Sequence, residues 1–291
     1  MSVPTVDEQP VGPVVVGVDG SPSSQQALRW AAGQARLTGQ ELHAVISFGL
    51  PLSRDAAVIG GSDWRGDAAE ALRTTVESTL GGPGSGPVVQ HVVEGRPAKV
   101  LLDAARDAGL LVVGSRGHGG VTGLLLGSVS EHVLAHATCP VVVVRERRTA
   151  TGRIVVGVDG SHESQRALRW AARQARLSGS AVHAVGAWRV PLGSGLTVRP
   201  EADWAGHTSH TLAAAVAGAL GEEDATGVVQ EVVEGHPADA LLSAATDADL
   251  LVVGSRGRGA FAGLLLGSVS RHVAAHAPCP AVVHHDRSST P

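Results

Sequence analysis

The sequence predicts an α/β fold built twice, as two tandem doubly wound domains, each a five-stranded parallel sheet with helices on both faces. Three observations predict it. The chain repeats itself: Gly254 lies 140 positions after Gly114, and the same offset joins Asp19 to Asp159, Trp30 to Trp170, His43 to His183, Trp64 to Trp204 and Cys139 to Cys279. Within each repeat, short apolar runs of strand length alternate with stretches of helical period, which implies a parallel sheet with right-handed crossovers. A glycine-rich loop leaves the apolar run Leu-Leu-Val-Val in both repeats.

Residues 1–12 are polar and Pro-rich and read as a flexible leader. Pro13 to Asp19 is the first apolar strand. Ser21 is placed to cap a helix with Pro22 in its first turn, and Gly39 to end it. Ala27, Leu28, Trp30, Ala31 and Ala35 give that helix one apolar face. Leu42 to Ser47 is the second strand. Residues 48–62, rich in Gly, Pro and Ser, form the loop least alike between the repeats, its counterpart being 188–202. A helix from Asp63 to Leu80 precedes a Gly/Pro turn and the third strand, Val88 to Glu94. Pro97 opens a helix expected to run to Ala108, and Leu110 to Gly114 is strand four. After the glycine loop a helix runs from Ser128 to Ala137, and Pro140 to Val144 is strand five. The expected organisation is leader 1–12, domain 1 over 13–148, domain 2 over 149–285 and a polar tail over 286–291. The last strand is apolar enough to invite edge pairing across a pseudo-twofold axis, and a homodimer is the expected assembly.

Composition narrows the function. Each repeat is large enough to bury a core of its own. The 291 residues carry a net charge of −4, which gives no electrostatic case for nucleic acid. No run of 18 apolar residues predicts a membrane span. The first residues, Met-Ser-Val-Pro-Thr-Val-Asp-Glu-Gln-Pro, lack the basic and apolar regions of a signal peptide. The two cysteines are repeat equivalents, one per domain, so neither domain can close its own disulfide and a cytoplasmic location is expected. Lys99 is the only lysine, so neither glycine loop has one.

The chemistry concentrates at Gly114 to Ser130 and Gly254 to Ser270. Gly114, Gly117, Gly119 and Gly127 recur as Gly254, Gly257, Gly259 and Gly267, and Ser128 and Ser130 recur as Ser268 and Ser270. Glycines leaving a buried strand let backbone N–H groups approach a phosphate with no Cβ in the way. The helix that starts at Ser128 adds its N-terminal dipole. Without lysine this is no Walker A loop, and its place after strand four is wrong for a dinucleotide fingerprint. In a doubly wound sheet the first and fourth strands can flank the ligand crevice, which sets Asp19 and Asp159 opposite the loops. Each carboxylate could bond ribose hydroxyls or hold a divalent ion on the phosphates, and each also fits a tight turn and helix cap. Arg116 and Arg256 could pair a phosphate or a neighbouring carboxylate. His132, His136 and Cys139, with His272, His276 and Cys279, have metal-ligand residue types. Lacking a His-Glu-x-x-His pattern, they read better as packing and as positive charge at a helix C-terminus, and no metal site is assigned.

These motifs resemble the universal stress protein family in its tandem form, over residues 13–284. The resemblance rests on Val-Gly-Val-Asp-Gly-Ser at 16–21 and 156–161, Val-Val-Gly-Ser-Arg-Gly at 112–117 and 252–257, Gly-Ser-Val-Ser at 127–130 and 267–270, and Cys-Pro at 139–140 and 279–280. It implies the strand order 3-2-1-4-5 and ATP, with Mg2+ on its phosphates, bound through Gly-x2-Gly-x9-Gly-Ser. By that resemblance Gly17, Asp19 and Val45 surround the adenosine in domain 1, as Gly157, Asp159 and Val185 do in domain 2. Arg116, Gly117, His118, Gly119, Gly127, Ser128, Val129 and Ser130 lie along the phosphates, as do Arg256, Gly257, Arg258, Gly259, Gly267, Ser268, Val269 and Ser270. His118 against Arg258 suggests two sites of unequal affinity. The function implied is an ATP-binding stress-response regulator that signals by conformation or assembly to an unknown protein partner. The rival reading is a slow metal-dependent ATPase or a phosphoryl or adenylyl transferase, for which Asp19 and Asp159 are the evident acidic groups.

Overall fold

The structure, a computed structural model, describes residues 12–49, 63–81, 86–117, 125–145, 150–190, 203–259 and 265–285. The leader, the tail, most of the two variable loops, His118 and Gly119 lie outside the described residues. The chain forms two compact units, whose described parts are residues 12–145 and 150–285.

In domain 1, β1 (Val14–Gly17), β2 (Leu42–Phe48), β3 (Val88–Glu94), β4 (Leu110–Gly114) and β5 (Val141–Val144) are all parallel, in the order β3-β2-β1-β4-β5. Helices α1 (Pro22–Thr38) and α2 (Trp64–Leu80) cover one face; α3 (Pro97–Ala104) and α4 (Ser128–His136) cover the other. Domain 2 repeats the plan. Its strands β6 (Arg153–Gly157), β7 (Ala181–Trp188), β8 (Val228–Glu234), β9 (Leu250–Gly254) and β10 (Ala281–His284) run β8-β7-β6-β9-β10. Helices α5 (His162–Ser178) and α6 (Trp204–Leu220) lie on one face, and α8 (Pro237–Ala244) and α9 (Ser268–His276) on the other.

Local chemistry explains the elements. Ser21 Oγ accepts from Ser24 N–H at the start of α1, and Gly39 ends that helix in the left-handed region at φ 69°. Asp63 caps α2 in the same way through Gly66 N–H. The central strands β4 and β9 are buried on both faces, which is why they read as unbroken apolar runs. Leu28, Leu72, Leu111 and Leu134 fill the domain 1 core, with Leu168, Leu212 and Leu251 in domain 2. Trp170 is core at 8 % exposure, whereas Trp30, expected on the apolar face of α1, is only half-buried.

Three expectations need correction. Helix α3 stops at Ala104, not Ala108. Arg106 and Ala108 N–H groups bond back only three residues, to Asp103 and Ala105, so the chain tightens and Gly109 N–H reaches Pro13 C=O at 2.9 Å. Domain 2 carries an extra turn of helix, α7 (Glu222–Ala225), whose acidic first turn suits the positive helix end. Of the paired sets, the cysteines are packed inside and His136 and His276 stand in the last turns of α4 and α9 as expected, but the histidines are not packed inside. His132 and His136 are exposed, their rings stacked 4.2 Å apart, and His136 Nδ1 donates to the His132 carbonyl of its own helix.

Candidate functional site

The strand order splits between β1 and β4, and between β6 and β9, so their C-terminal ends open a crevice in each domain. The cavity there measures about 560 Å³ in domain 1 and about 500 Å³ in domain 2, within the range of small-molecule sites.

The loops are built alike. Gly127 N–H closes the first loop on Ser115 C=O at 2.8 Å, and Gly267 N–H does so on Ser255 C=O at 2.8 Å. Ser130 Oγ, buried, donates to Gly114 C=O at 2.7 Å, and Ser270 Oγ to Gly254 C=O at 2.6 Å. These serines line the cavities, but their protons are spent fixing the helix start to the strand end. Among the described residues no side chain caps α4 or α9, whose first turns, from Ser128 and Ser268, line the cavities; the first N–H groups of a helix have no partner within it.

The carboxylates lie directly against the loops. A Cβ at Gly117 would stand 2.5 Å from Asp19 Oδ2, and one at Gly257 would stand 2.5 Å from Asp159 Oδ2, so a larger residue at either position must push the carboxylate aside. Asp19 Oδ1 accepts from Ser21 N–H at 3.0 Å. Asp159 Oδ1 accepts from Ser161 N–H at 2.9 Å and Oγ–H at 2.6 Å, and its Oδ2 accepts from Arg258 N–H at 2.8 Å. Burial pushes the Asp159 carboxyl up, but hydrogen bonds from Ser161, the Arg258 N–H and Ser164 outweigh it and hold the group below the usual carboxylate range. The turn-and-cap geometry therefore exists, and the same carboxylate also pins the glycine loop.

Of the residues singled out from sequence, Gly17, Asp19, Val45, Gly114, Arg116 and Gly117 line the first cavity, together with Gly127, Ser128, Val129 and Ser130. Gly157, Asp159, Val185, Gly254, Arg256 and Gly257 line the second, with Arg258, Gly259, Gly267, Ser268, Val269 and Ser270. Arg256 pairs with Glu163 at 3.5 Å, whereas the position equivalent to Glu163 in domain 1 is Ser23, whose Oγ accepts from Arg116 N–H at 3.3 Å.

Sequence reasoning missed the opposite wall. Pro97, Val100 and Leu101 in domain 1, and Pro237 and Leu241 in domain 2, give each cavity an apolar side. The repeated Glu-Gly-x-Pro-Ala at 94–98 and 234–238 was the available signal. It also missed Ser47, Arg189 and His236, where the repeats differ. Among the described residues no cluster of three His, Cys, Asp or Glu side chains could hold a metal ion, and no helix is long and apolar enough to cross a membrane. Both cysteines are buried, and neither is in a disulfide.

Comparison with known proteins agrees with this architecture. The family model described as the universal stress protein family matches twice, over residues 10–145 and 151–285. Universal stress protein Rv2623 of Mycobacterium tuberculosis is 34 % identical over 293 residues, covering 93 % of this chain and 95 % of its own. A universal stress protein of Mycolicibacterium smegmatis is 33 % identical over 286 residues, covering 94 % of this chain and 97 % of its own. The crystal structure of a universal stress protein from Archaeoglobus fulgidus shares the fold, with a TM-score of 0.66 at 21 % identity, covering 94 % of this chain and 96 % of its own. The doubled domain, the glycine loops and these matches place the chain in the universal stress protein family.

Proposed function

We propose that this chain binds ATP at one site in each domain and serves as a cytoplasmic stress-response regulator. The observation that carries this reading is the uncapped start of α4 and α9, opening onto a cavity whose other edge is a glycine loop held by a carboxylate. Unmatched N–H donors and a helix dipole favour an anion. The apolar wall of Pro97 and Leu101, or Pro237 and Leu241, suits a base. A nucleotide is a ligand apolar at one end and anionic at the other, and the family resemblance selects it, with adenine as the base. The Ser128, Ser268 and aspartate oxygens are hard donors of the kind a phosphate-bound Mg2+ accepts.

Binding rather than turnover fits Asp159. Both oxygens of Asp159 already accept protein hydrogen bonds, which leaves it poorly free to act as a base. Nucleotide occupancy would instead shift a conformational or assembly equilibrium, including that of a homodimer, to which a regulatory protein partner responds. Denaturing the purified protein and chromatographing the released nucleotide tests the reading. ATP is the expected release, with turnover of added Mg-ATP far below about 1 s⁻¹. Faster turnover would favour the ATPase, and failure to bind ATP at all would overturn the site.

A further inference from the structure

The two cavities differ in charge. Arg189, Arg256 and Arg258 line the second against the carboxylate of Asp159, and Glu163 beside Arg256 offsets one more positive charge, which still leaves it cationic. The described lining of the first holds Arg116 against Asp19; Arg145, near enough to Arg116 to feel its charge, donates to Leu125 C=O and does not line the cavity. Where domain 2 has Arg189 and Arg258, the sequence of domain 1 has Gly49 and His118.

His236 adds a donor. Its Nδ1 accepts from Ala238 N–H at 3.3 Å, so the neutral ring carries its proton on Nε2. The equivalent Arg96, exposed as His236 is, does not line the first cavity. These groups stand on both flanks of β6. Arg189 follows β7, while Arg256 and Arg258 follow β9, two strand spacings away, or about 10 Å.

Building on the reading that each cavity takes a nucleotide, we propose that domain 2 selects a nucleoside triphosphate over the monophosphate, while domain 1 discriminates little between them. Each added phosphate charge meets more positive charge in domain 2, in a partly enclosed cavity where screening is incomplete.

Equilibrium dialysis of the full chain with ATP and with AMP tests this. Gly257→Ala leaves domain 1 to be read alone, and Gly117→Ala leaves domain 2. The ATP preference of domain 2 is expected to exceed that of domain 1 by about tenfold, and to shrink as salt rises from about 0.05 to 0.5 M. Replacing Arg189 by Gly and Arg258 by His, the residues of domain 1, should bring the preference down to that of domain 1. The unaltered chain gives the same reading without variants: two classes of ATP site, the tighter one more salt-sensitive. Equal preferences in the two domains, or a preference that survives the double replacement, would overturn the proposal. Absence of both ATP and AMP binding would instead remove the nucleotide reading on which it stands, a distinct result.

Discussion

Domain 1 and domain 2 share the frame around the cavity and diverge in what stands beside it. Gly117 and Gly257 meet their aspartates at the same 2.5 Å, and Ser130 and Ser270 tie helix to strand with the same bond. The neighbours differ: Ser23 corresponds to Glu163, Ser47 to Ala187, Gly49 to Arg189, and Val144-Arg145 to His284-His285. Duplication has kept the residues that fix backbone geometry and changed those that set charge and proton uptake. A ligand role shared by both domains must rest on the first set, and any difference between the sites on the second.

The largest expected effect would break the shared half. In Gly117→Ala the new Cβ must displace the Asp19 carboxylate, and in Gly257→Ala a carboxylate held by Ser161 and Arg258. Each change should weaken nucleotide binding about 100-fold in its own domain, or roughly 3 kcal/mol, and leave the other domain within about twofold. Calorimetric titration reads both sites.

The next effect sharpens the difference. His285 is 7 % exposed, and its Nε2 has no partner among the described residues; burial, then the Arg256 charge, pushes it down to about 4. His284 is pushed down to about 3 by burial, then by His285 and by Arg166, Arg173 and Arg169 of α5. Below about pH 6.5 the unfolded chain takes up protons that folded domain 2 refuses, so its stability falls as pH drops from 6.5 towards 4. His285 alone should remove about 3 kcal/mol across that window. Domain 1 has Val144 and Arg145 there and lacks this source of loss. Amide exchange at pH 7 and pH 5 should show protection falling in β6, β9 and β10 before β1, β4 and β5. Equal loss in both domains would contradict the assignment.

The smallest effect returns to the shared frame. Ser130→Ala and Ser270→Ala each orphan a strand-end carbonyl and should cost about 1–2 kcal/mol, alike in the two domains. Thermal unfolding of each variant measures it. A marked inequality would mean that the two loops are not held by the same device.

Much of this was legible from residues alone. The offset of 140 and the apolar runs gave all five strands of domain 1, and β3 and β4 match to the residue. The ends of α1, capped by the Ser21 side chain and by Gly39 in the left-handed region, were equally visible because such chemistry is local. The end of α3 was not. Asp103 to Ala108 is sequence that a helix accepts, and the stop comes from Gly109 N–H bonding Pro13 C=O, just ahead of β1 and far away in sequence. Glu163 beside Arg256 and the burial of His284 and His285 were hidden for the same reason. Such contacts join segments about ninety or more residues apart, or depend on how a strand end is covered, and no local pattern encodes them.

The count of bound nucleotide in the full chain tests the central claim most directly. Equilibrium dialysis with labelled ATP should give two per chain for the unaltered protein, one for Gly117→Ala, one for Gly257→Ala and none when both are changed. One per chain in the unaltered protein, or two in either single variant, would contradict an account in which each glycine loop, held by its aspartate, makes its own site.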